Sequence, residues 1–491
     1  MPICTWSTTV VSESGTLPAH RERYPQTSSQ FYPKAGPEIT PRIFSRLAEV
    51  AREVSGRHKM CRSMEEQLRE ILSAGLAAAD PKEAVLRSVR LEGNTLLAGG
   101  ARFEAERVFV LAAGKAAPAM ASAVEELLGE RLAGGLVVTK YGHEATSRRL
   151  ETVFAAHPEP DERGVEAARR TEELAESLGQ NDLLLALISG GASALLADPV
   201  PDVGLEDMKR LTGALLRSGA DIGEINTVRK HVSVLKGGGL ASIAAPAPTL
   251  ALLLSDVVGD DPSAIASGLT APDPTTLEDT RRVLARYGIE PPESVVEHLG
   301  HAEETPKPGD ALFEGVANVV CGSGRHAVEA AAEKARDLGY EPHIISTTVT
   351  GDARGIASVY AAVIREVLET GNPAPAPCAF LSGGEATVTV RGDGTGGPNQ
   401  EFALALAVEL DGIGGWAAFA ADTDGNDGPT DAAGGLVTGA TAGKIRDSGV
   451  DPEEALENND AGAALQAGEA LLVTGPTGTN VNDLRVALIS A

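Results

Sequence analysis

Short apolar runs alternate with amphipathic segments along most of the chain. The runs RVFVLAAG at 107–114, DLLLALISGG at 182–191 and TLALLLSDVVGDD at 249–261 each pass from apolar residues into Gly or Asp. Buried strands of parallel sheets have this form, because both of their faces are covered and loops follow their carboxyl ends. The segments 162–178 and 205–219 space their apolar residues as helices do. The alternation predicts βαβ units and an α/β fold.

The second half of the chain repeats the plan of the first. In each half an apolar strand, a glycine, a basic residue and an alanine-rich helix follow in order, around Lys115 and around Arg325. Ser-Gly-Gly also follows an apolar strand in each half. Two matches in the same order predict two related Rossmann-like α/β domains, residues 61–304 and 305–491, with an active-site cleft between them.

The first 60 residues show neither helical nor strand periodicity and are rich in Ser, Thr and Pro. This composition predicts an N-terminal extension, residues 1–60, that is disordered or partly helical. Met60 and Met64 are candidates for the genuine start of translation.

Composition supports an enzyme, and charge restricts its partners. The hydrophobic fraction of 43% includes only 3% aromatics and stands beside 55 glycines, which is typical of α/β enzymes. A net charge of -27 argues against nucleic-acid and anionic-membrane partners, since both need clustered Lys and Arg. The four scattered cysteines form no CxxC pair, and no apolar run reaches about 18 residues. We therefore expect reduced thiols in a cytoplasmic protein with no membrane partner.

Glycine-rich turns after strands are candidate anion sites, because their backbone N–H groups and the following helix N-terminus attract negative charge. Residues 189–191 with Ser193, residues 382–384, residues 392–401 and residues 475–483 have this form. Each alone is equally explained as a tight packing turn, and residues 392–401 also fit a hairpin. Together they favour a phosphate-rich ligand.

Basic side chains that could bind a phosphate-rich ligand occur both at strand–helix turns and in one longer block. Lys115 and Arg325 lie at strand–helix turns, and the block at 226–241 carries Arg229 and Lys236. Arg binds a carboxylate with two parallel hydrogen bonds, whereas Lys acts as a point charge on phosphate oxygens. The alternative is that these are solvated surface charges.

Carboxylates at strand ends are candidate metal ligands. Asp256 and Asp260 follow a buried run, and Asp424 and Asp427 lie in the small-residue loop ADTDGNDGPTDAAGG. The loop lacks the distal Glu of a calcium-binding EF-hand, so Mg²⁺ held by one or two carboxylates plus substrate phosphates is the better interpretation. The alternative is that these aspartates form turns or cap helices.

Long motifs carry a resemblance to a known family. They are AAGKAAPAM, HPEPD, LISGGASALL, GADIGEINTVRKHVSVLKGGGLA, LLSDVVGDDPSAIASGLTAPDPTT, LSGGEATVTVRGDGTGGPNQE, TDGNDGPTDAAGG and GPTGTNVNDLRV. Together they resemble the class II glycerate 2-kinase family, whose C-terminal part is called the MOFRL domain. The resemblance covers residues 64–491. Two positions depart from it: Gly324 stands where the family usually has Asn, and Pro398 replaces an Arg that commonly precedes Asn-Gln-Glu.

The resemblance implies a kinase that uses ATP and Mg²⁺ to phosphorylate D-glycerate, giving 2-phosphoglycerate. The family's cleft Lys corresponds to Lys115 and its cleft Arg to Arg325, and Asp256 completes the expected catalytic set. Asp256, Asp260 and Asp424 are the expected metal ligands. The expected nucleotide- and substrate-binding residues are Gly114, Ser189, Gly190, Gly191, Ser193, Asn226, Arg229, Lys236, Ser382, Gly383, Gly384, Glu385, Asn399 and Gln400. The expected partner is the small molecule D-glycerate, and a homodimer stays open.

Two alternative functions fit the same motifs. Members of the family have been labelled hydroxypyruvate reductases, and Rossmann-like halves suit an oxidoreductase. The sequence argues against this, because no strand–GxGxxG–helix unit with a downstream acidic residue is present. A non-catalytic phosphometabolite-binding protein would use the same loops.

Overall fold

The computed structural model describes residues 62–144 and 147–490, which belong to one compact unit that begins at Arg62. The extension expected over residues 1–60, with its alternative start at Met60, lies outside the described residues. Met64, the other alternative start, is the first residue of the first described helix. Within the described ranges, no helix combines the length and the apolar character needed to cross a membrane.

Strands and helices alternate through the first half, as the sequence predicts. In chain order they are α1 Met64–Ala78, α2 Pro81–Ser88, β1 Val89–Glu92, β2 Thr95–Ala98, β3 Ala101–Glu104, β4 Arg107–Ala113, α3 Ala117–Leu128, β5 Leu132–Lys140, β6 Glu151–Ala155, α4 Glu162–Glu176, β7 Asp182–Ser189, α5 Ala192–Leu195, α6 Leu205–Ser218, α7 Ile222–Lys230, α8 Gly239–Ala244, β8 Thr249–Leu254, α9 Leu277–Arg286, α10 Glu293–His301 and β9 Val316–Gly322. The short strands β1, β2 and β3 form an antiparallel sheet of their own.

The larger sheet of this half is parallel throughout, with strand order β6-β5-β4-β7-β8-β9. Every residue of β7 and β8 is buried, which explains their unbroken apolar sequences. The chain adds strands outward from β4, first to β5 and β6 and then on the other side to β7, β8 and β9. The direction of winding reverses between β4 and β7, and sheets of this kind bind ligands at the carboxyl end of that reversal, the switch point.

The second half continues with helices and a mixed sheet. Its elements are α11 Gly324–Leu338, β10 Glu341–Asp352, α12 Ala353–Thr370, β11 Cys378–Thr387, α13 Pro398–Glu409, β12 Trp416–Asp422, β13 Gly434–Thr438, α14 Thr441–Asp447, α15 Pro452–Glu457, α16 Ala461–Ala467, β14 Leu471–Leu472 and β15 Asp483–Ile489. Strand order is β10-β11-β15-β12-β13-β14, and β10 pairs parallel with β11 while the other pairs are antiparallel. The two-domain α/β architecture is therefore confirmed.

Helices cover both faces of this second sheet. Apolar residues of α12 and α13, such as Ile364 and Phe402, fill one face. The other face packs against α11 and also against α1, from the beginning of the described chain, through Leu68 and Ile71. A Cβ on Gly75 would lie 3.2 Å from the carbonyl oxygen of Ala327, so a glycine lets α1 approach α11 closely.

The repeated plan seen in the sequence does not mark equivalent positions in two domains. The strands before Lys115 and Arg325 are β4 and β9, and both belong to the first sheet. β9 lies at the edge of that sheet, and the helix that follows it leaves to cover the second sheet. The expected boundary between residues 304 and 305 thus precedes β9, and the chain changes sheet at Ser323.

The chain passes between the two halves twice, and the two crossings are adjacent. One follows α1 and the other follows β9. The guanidinium Nη2 of Arg87 donates to the carbonyl oxygens of Ala78 (3.0 Å) and Cys321 (3.1 Å), so one side chain fastens both crossings. Thr479 Oγ1, from the loop before β15, donates to the carbonyl oxygen of Ala79 at 2.6 Å.

Candidate active site

The turns after β4 and β7 meet at the switch point and hold one another. The backbone N–H of Lys115 donates to the carbonyl oxygen of Gly190 at 2.9 Å, and the N–H of Ala116 donates to Ser189 Oγ at 3.1 Å. Gly114 has a φ of +127°, and a Cβ there would lie 2.2 Å from Ser189 Oγ. This close contact requires glycine at position 114, and Ser189 fixes the turn that carries Lys115.

The side chains of Lys115 and Asp256 occupy space left by the next two glycines. A Cβ on Gly191 would lie 3.4 Å from Lys115 Cγ, and a Cβ on Gly190 would lie 2.0 Å from Asp256 Oδ2. Burial raises the pKa of Asp256, and the nearby positive charge of Lys115 opposes that rise. The Lys115 ammonium has no side-chain hydrogen bond or ion pair with any described residue. A cation and a carboxylate are therefore both available to a ligand at the switch point.

Two histidines that the sequence did not single out adjoin Lys115. The ring of His157 lies 3.1 Å from the position that a Gly191 Cβ would take. Burial, together with the charges of Lys115 and Lys140, lowers the pKa of both His157 and His143. Both rings are therefore neutral at pH 7, and the lysines supply the positive charge. The motif HPEPD, which contains His157, was the signal in the sequence that could have identified this residue.

Asp260 and Arg325 border a narrow crevice between the two sheets. The crevice has a volume of about 30 Å³, and both halves line it through Ser255, Val257, Val258, Gly259, Asp260, Gly324, Arg325, Thr347, Thr348, Gly384, Val481 and Asn482. Asp260 has a φ of +57°, a strained conformation of the kind that clusters at functional sites. The side chain of Arg325 is 58% exposed and reaches Glu329 at 4.0 Å. Lys115 does not line this crevice, so the joint action of Lys115 and Arg325 stays a prediction.

Hydrogen bonds link Ser193 to Asn226 through a residue not singled out in the sequence. Ser193 Oγ lies 3.1 Å from Ser267 Oγ, which donates to Asn226 Oδ1 at 3.0 Å. Ala266 and Ser267 have φ values of +49° and +58°, so the turn that places Ser267 between these partners is strained. Asn226 is thus a positioning residue for the loop after β7.

A wider cavity of about 610 Å³ opens beside the switch point, lined by residues that include His157, Gly191, Ser193 and Arg229. Arg229 is half-buried, its guanidinium has no hydrogen-bond or ion-pair partner within the described chain, and burial lowers the pKa of that group. An anion in the cavity would supply the missing partner.

Lys236, predicted to bind the ligand, is already engaged within the protein. It is buried, forms an ion pair with Asp198 and donates to the carbonyl oxygen of Leu196 at 3.0 Å. Asp198 also accepts hydrogen bonds from Ser233 Oγ and from the backbone N–H of Leu235. This buried network fixes one wall of the cavity and gives Lys236 a structural role.

The motif at residues 382–384 is not a turn, so the predicted glycine-rich turn is wrong there, and ligand binding by these residues, of which Gly384 lines the crevice, stays a prediction. Ser382, Gly383 and Gly384 lie inside β11. Ser382 Oγ accepts from Tyr360 Oη at 2.7 Å, and a Cβ on Gly384 would lie 2.2 Å from the carbonyl oxygen of Val349. These glycines permit close pairing with β10 where its register is irregular.

Asn399 and Gln400 orient carboxylates in the second half. Their backbone N–H groups donate to Asp427 at 3.1 and 2.8 Å, and Asn399 Nδ2 donates to Asp483 Oδ1 at 2.7 Å. The side-chain oxygens Asn399 Oδ1 and Gln400 Oε1 are buried without a donor in the part of the chain that the structure describes. Residues 392–397 lead into α13, so the alternative of a hairpin at 392–401 is wrong.

Acidic side chains accumulate around Asp483. Burial is the main cause that raises the pKa of Asp427 to about 6 and that of Asp422 to about 8, and the neighbouring carboxylates add to both. Burial, Asp483 and Asp256 raise the pKa of Glu385, which lies on the exposed side of β11. Asp256 follows β8 and lies against Gly190 at the switch point. Since its charge affects the pKa of Glu385, a carboxylate of the second half lies close to the switch point.

The three expected metal ligands are not brought together. Asp256 and Asp260 follow β8, whereas Asp424 follows β12 and accepts from the backbone N–H of Asn426 at 2.8 Å. Over residues 62–144 and 147–490, no group of three ligand atoms within 4.8 Å of one another includes any of them. A single ion bound by all three is therefore not supported, and Mg²⁺ held by one or two of these carboxylates together with substrate phosphates stays a prediction.

Comparison with known proteins places this geometry in a family. Residues 67–300 match the model described as Domain of unknown function (DUF4147), and residues 378–483 match the MOFRL family. D-glycerate 2-kinase of Thermotoga maritima is 44% identical over 421 residues, covering 86% of this chain and 97% of the relative. The chain belongs to the glycerate 2-kinase family. Glycerate kinase of Homo sapiens is 35% identical, covering 87% of this chain and 93% of the human protein.

A crystal structure from the same family has the same fold. The structure of glycerate kinase from Thermotoga maritima superimposes with a TM-score of 0.80 at 43% identity, over 87% of this chain and 99% of that chain. A protein of Agrobacterium vitis, provisionally named hydroxypyruvate reductase, is 45% identical over 87% of this chain and 95% of its own length. The relatives therefore carry two names, of which the kinase name accompanies a solved structure.

Gly324 and Pro398, the two positions that depart from the family pattern, each begin a helix. Gly324 is the first residue of α11, and a Cβ there would lie 2.9 Å from the carbonyl oxygen of Val481, so a larger residue needs a shift of that loop. Pro398 is the first residue of α13, where proline is favoured because no backbone N–H is needed.

Proposed function

We propose that the protein catalyses ATP-dependent phosphorylation of D-glycerate at its 2-hydroxyl, giving ADP and 2-phosphoglycerate. The glycerate 2-kinases among its relatives support this proposal. The observation that carries it is the switch point itself, where the ammonium of Lys115, which has no side-chain partner among the described residues, lies near Asp256. Phosphoryl transfer requires such charges, because catalysis consists mainly of positioning and neutralising the transferred group.

The residues divide into two binding regions. Residues 189–193, at the end of β7 and the beginning of the next helix, receive the phosphates of ATP, and Lys115 stabilises the oxygens of the transferred phosphoryl group. Arg229 lines the adjacent cavity, and its guanidinium, which has no partner in the described part of the chain, binds the carboxylate of D-glycerate with two parallel hydrogen bonds. Asn226 and Ser267 hold the loop between the two regions.

One residue of this site, Asp256, is a suitable ligand for Mg²⁺. The carboxylate of Asp256 has no side-chain donor among the described residues, and carboxylate oxygen is a preferred Mg²⁺ ligand. When bound, the ion would neutralise charge on the phosphates of ATP. Asp260 is the nearest further carboxylate along the same turn.

The second half supplies the proton acceptor and excludes water. Glu385 lies near enough to Asp256 for the two charges to interact, and its pKa, raised mainly by burial, is closer to the range of an effective general base at neutral pH. As the crevice lined by Arg325 closes on the substrates, Glu385 accepts the proton of the glycerate 2-hydroxyl. Closure also limits hydrolysis of ATP by water.

A coupled assay tests the proposal. Purified protein with ATP, Mg²⁺ and D-glycerate is expected to release ADP and to form a product that enolase consumes directly, as 2-phosphoglycerate is. Lys115→Ala is expected to lower kcat by roughly 10²-fold or more, because its charge acts mainly on the transferring group. Lys444→Ala, an exposed lysine on α14, is the matched control and should retain full activity. Product that enolase does not consume, or an unchanged kcat for Lys115→Ala, would contradict the assignment.

A reductase is the second candidate, because the Agrobacterium vitis relative carries that name. The turn after β4, however, has Gly-Lys-Ala-Ala, not the three glycines by which such turns approach a dinucleotide pyrophosphate. The same protein should therefore not oxidise NADH or NADPH with hydroxypyruvate. Oxidation at a rate above that of glycerate phosphorylation would favour the reductase.

A further inference from the structure

A group of nitrogen and oxygen ligands lies away from the switch point. Asp202, His298 and His301 each place one potential ligand atom within 4.8 Å of the other two. Both histidines belong to α10 and are three residues apart, so they lie on the same face of that helix. Asp202 precedes α6, and its Oδ2 lies 3.3 Å from His301 Nε2. Two separate segments of the chain thus converge at this point.

The hydrogen bonds of His298 prepare it as a ligand. Its Nε2 lies 3.0 Å from the carbonyl oxygen of His231, which can only accept, so Nε2 carries the proton and Nδ1 keeps its lone pair. A metal-binding histidine commonly donates its second ring nitrogen to a backbone carbonyl in this way. The rings of His298 and His301 meet edge to face, with centroids 5.8 Å apart.

We propose that Asp202, His298 and His301 bind a divalent transition-metal ion of the zinc type. Two imidazoles and one carboxylate match the ligands of Zn²⁺, whereas Mg²⁺ prefers oxygen ligands alone. Asp202 and His301 are exposed and His298 is half-buried, so water completes the coordination of the ion. This site is separate from the carboxylates assigned to the kinase reaction and does not depend on that function.

The site would connect two walls of the large cavity. Asp202 leads into α6, whose residues Met208, Lys209 and Thr212 line that cavity. His298 contacts the carbonyl oxygen of His231, the residue that ends the helix carrying Asn226 and Arg229. A bound ion therefore restrains α6 and α7 relative to α10, and zinc binding stiffens the pocket around Arg229.

Isothermal titration of the full-length protein with ZnCl₂, after removal of metals by a chelator, tests this proposal. The wild type is expected to show a binding event that Asp202→Asn and His301→Ala each weaken by about tenfold or more, as loss of a metal's supporting groups does elsewhere. Glu297→Gln is the matched control, since Glu297 is an exposed carboxylate on α10 outside the group. The control should bind zinc as the wild type does.

Cobalt spectroscopy and thermal unfolding keep the test decisive. Bound Co²⁺ should show the visible absorption of imidazole and carboxylate ligands in the wild type and lose it in His301→Ala. Both variants should unfold at the wild-type temperature without metal, because Asp202 and His301 are exposed, and zinc should raise the unfolding temperature of the wild type more than that of either variant. Zinc binding of equal strength in wild type and both variants, or no binding by the wild type, would overturn the proposal.

Discussion

At the scale of single residues, the geometry of the candidate site depends on glycines, which have no side chain. Gly114 lets the turn after β4 approach Ser189, and Gly190 leaves the space that Asp256 fills. Neither glycine binds a ligand through a side chain, so each acts by allowing two other groups to come close. Substitution of Gly190 therefore tests whether the position of the Asp256 carboxylate matters, because it leaves the charge of the site unchanged.

Gly190→Ala is expected to lower kcat/KM by roughly 10²-fold, because its methyl group would stand 2.0 Å from Asp256 Oδ2 and displace that carboxylate by about an ångström. Steady-state kinetics with D-glycerate and ATP measure the effect. Gly443→Ala, in α14 with open space around it, is the control. Equal activity of the two variants would mean that the position of Asp256 does not matter.

Sequence and structure agree best for residues close together along the chain. The turns that carry Lys115 and residues 189–191 were predictable, because an apolar strand ending in glycine fixes them locally. His143, His157 and Ser267 were missed, since their importance arises from contacts between distant segments. The ion pair of Lys236 was missed for the same reason: its partner Asp198 lies 38 residues away, and nothing near Lys236 in sequence reveals the pair.

At the scale of secondary-structure elements, carboxylates cluster at one end of the second sheet. Burial in the folded protein raises their pKa values, so some of them hold a proton that they would lose in the unfolded chain. Asp422 ends β12 and Asp483 begins β15, next to the start of α13. Burial raises the pKa of Asp422 to about 8. In the unfolded chain an aspartate has a pKa of about 3.9, so the folded state holds a proton in the interval where the unfolded chain has lost it. Stability consequently falls as pH rises from about 4 to about 8 and levels off above that range.

Asp422→Asn is expected to remove the loss of stability at high pH, because an asparagine side chain does not ionise in this pH range. Its amide oxygen can still accept the hydrogen bond from the backbone N–H of Asp424. The variant should gain stability over the wild type as pH rises, by about 1–3 kcal/mol at pH 8.5 and little at pH 4.5. Urea unfolding at the two pH values measures the difference. Asp447→Asn, an exposed aspartate on α14, should show no such trend. A gain of equal size at both pH values would contradict the stated cause.

Strand direction and sheet membership were harder to predict than the elements themselves. Ser-Gly-Gly after an apolar run looks the same whether the strand ends there, as at Ser189, or continues, as at Ser382. Likewise the sequence around Arg325 resembles that around Lys115, although one strand is central and the other lies at the edge of the same sheet. Hydrogen bonding to other strands decides both cases, and a single sequence contains no record of it.

The two halves depend on each other at the scale of the whole molecule. Helix α1 precedes every strand of the first sheet, yet it covers the second sheet together with α11. The α/β class and the presence of two domains followed from the alternation of elements. The contribution of α1 to the distant domain did not, because an apolar helical face does not reveal which sheet it covers.

Ile71→Ala is expected to destabilise the second half first, because Ile71 is fully buried against that sheet. Truncation of such a side chain costs about 2–5 kcal/mol. Hydrogen exchange should therefore lose more protection in β12 and β15 than in β7 and β8. Ile222→Ala, at a residue that is 63% exposed, should leave both regions unchanged. Loss centred on β7 and β8 would show that α1 supports the first sheet instead.

The paired crossings fastened by Arg87 restrict how the molecule can open. A single flexible connection would let one half swing and twist about any direction, whereas two adjacent connections define one axis. We expect opening for product release to be a rotation about a line through the chain near Ala78 and Cys321. Under the proposed mechanism, Glu385 would then travel along a fixed arc and return to Asp256 in the same orientation in every turnover.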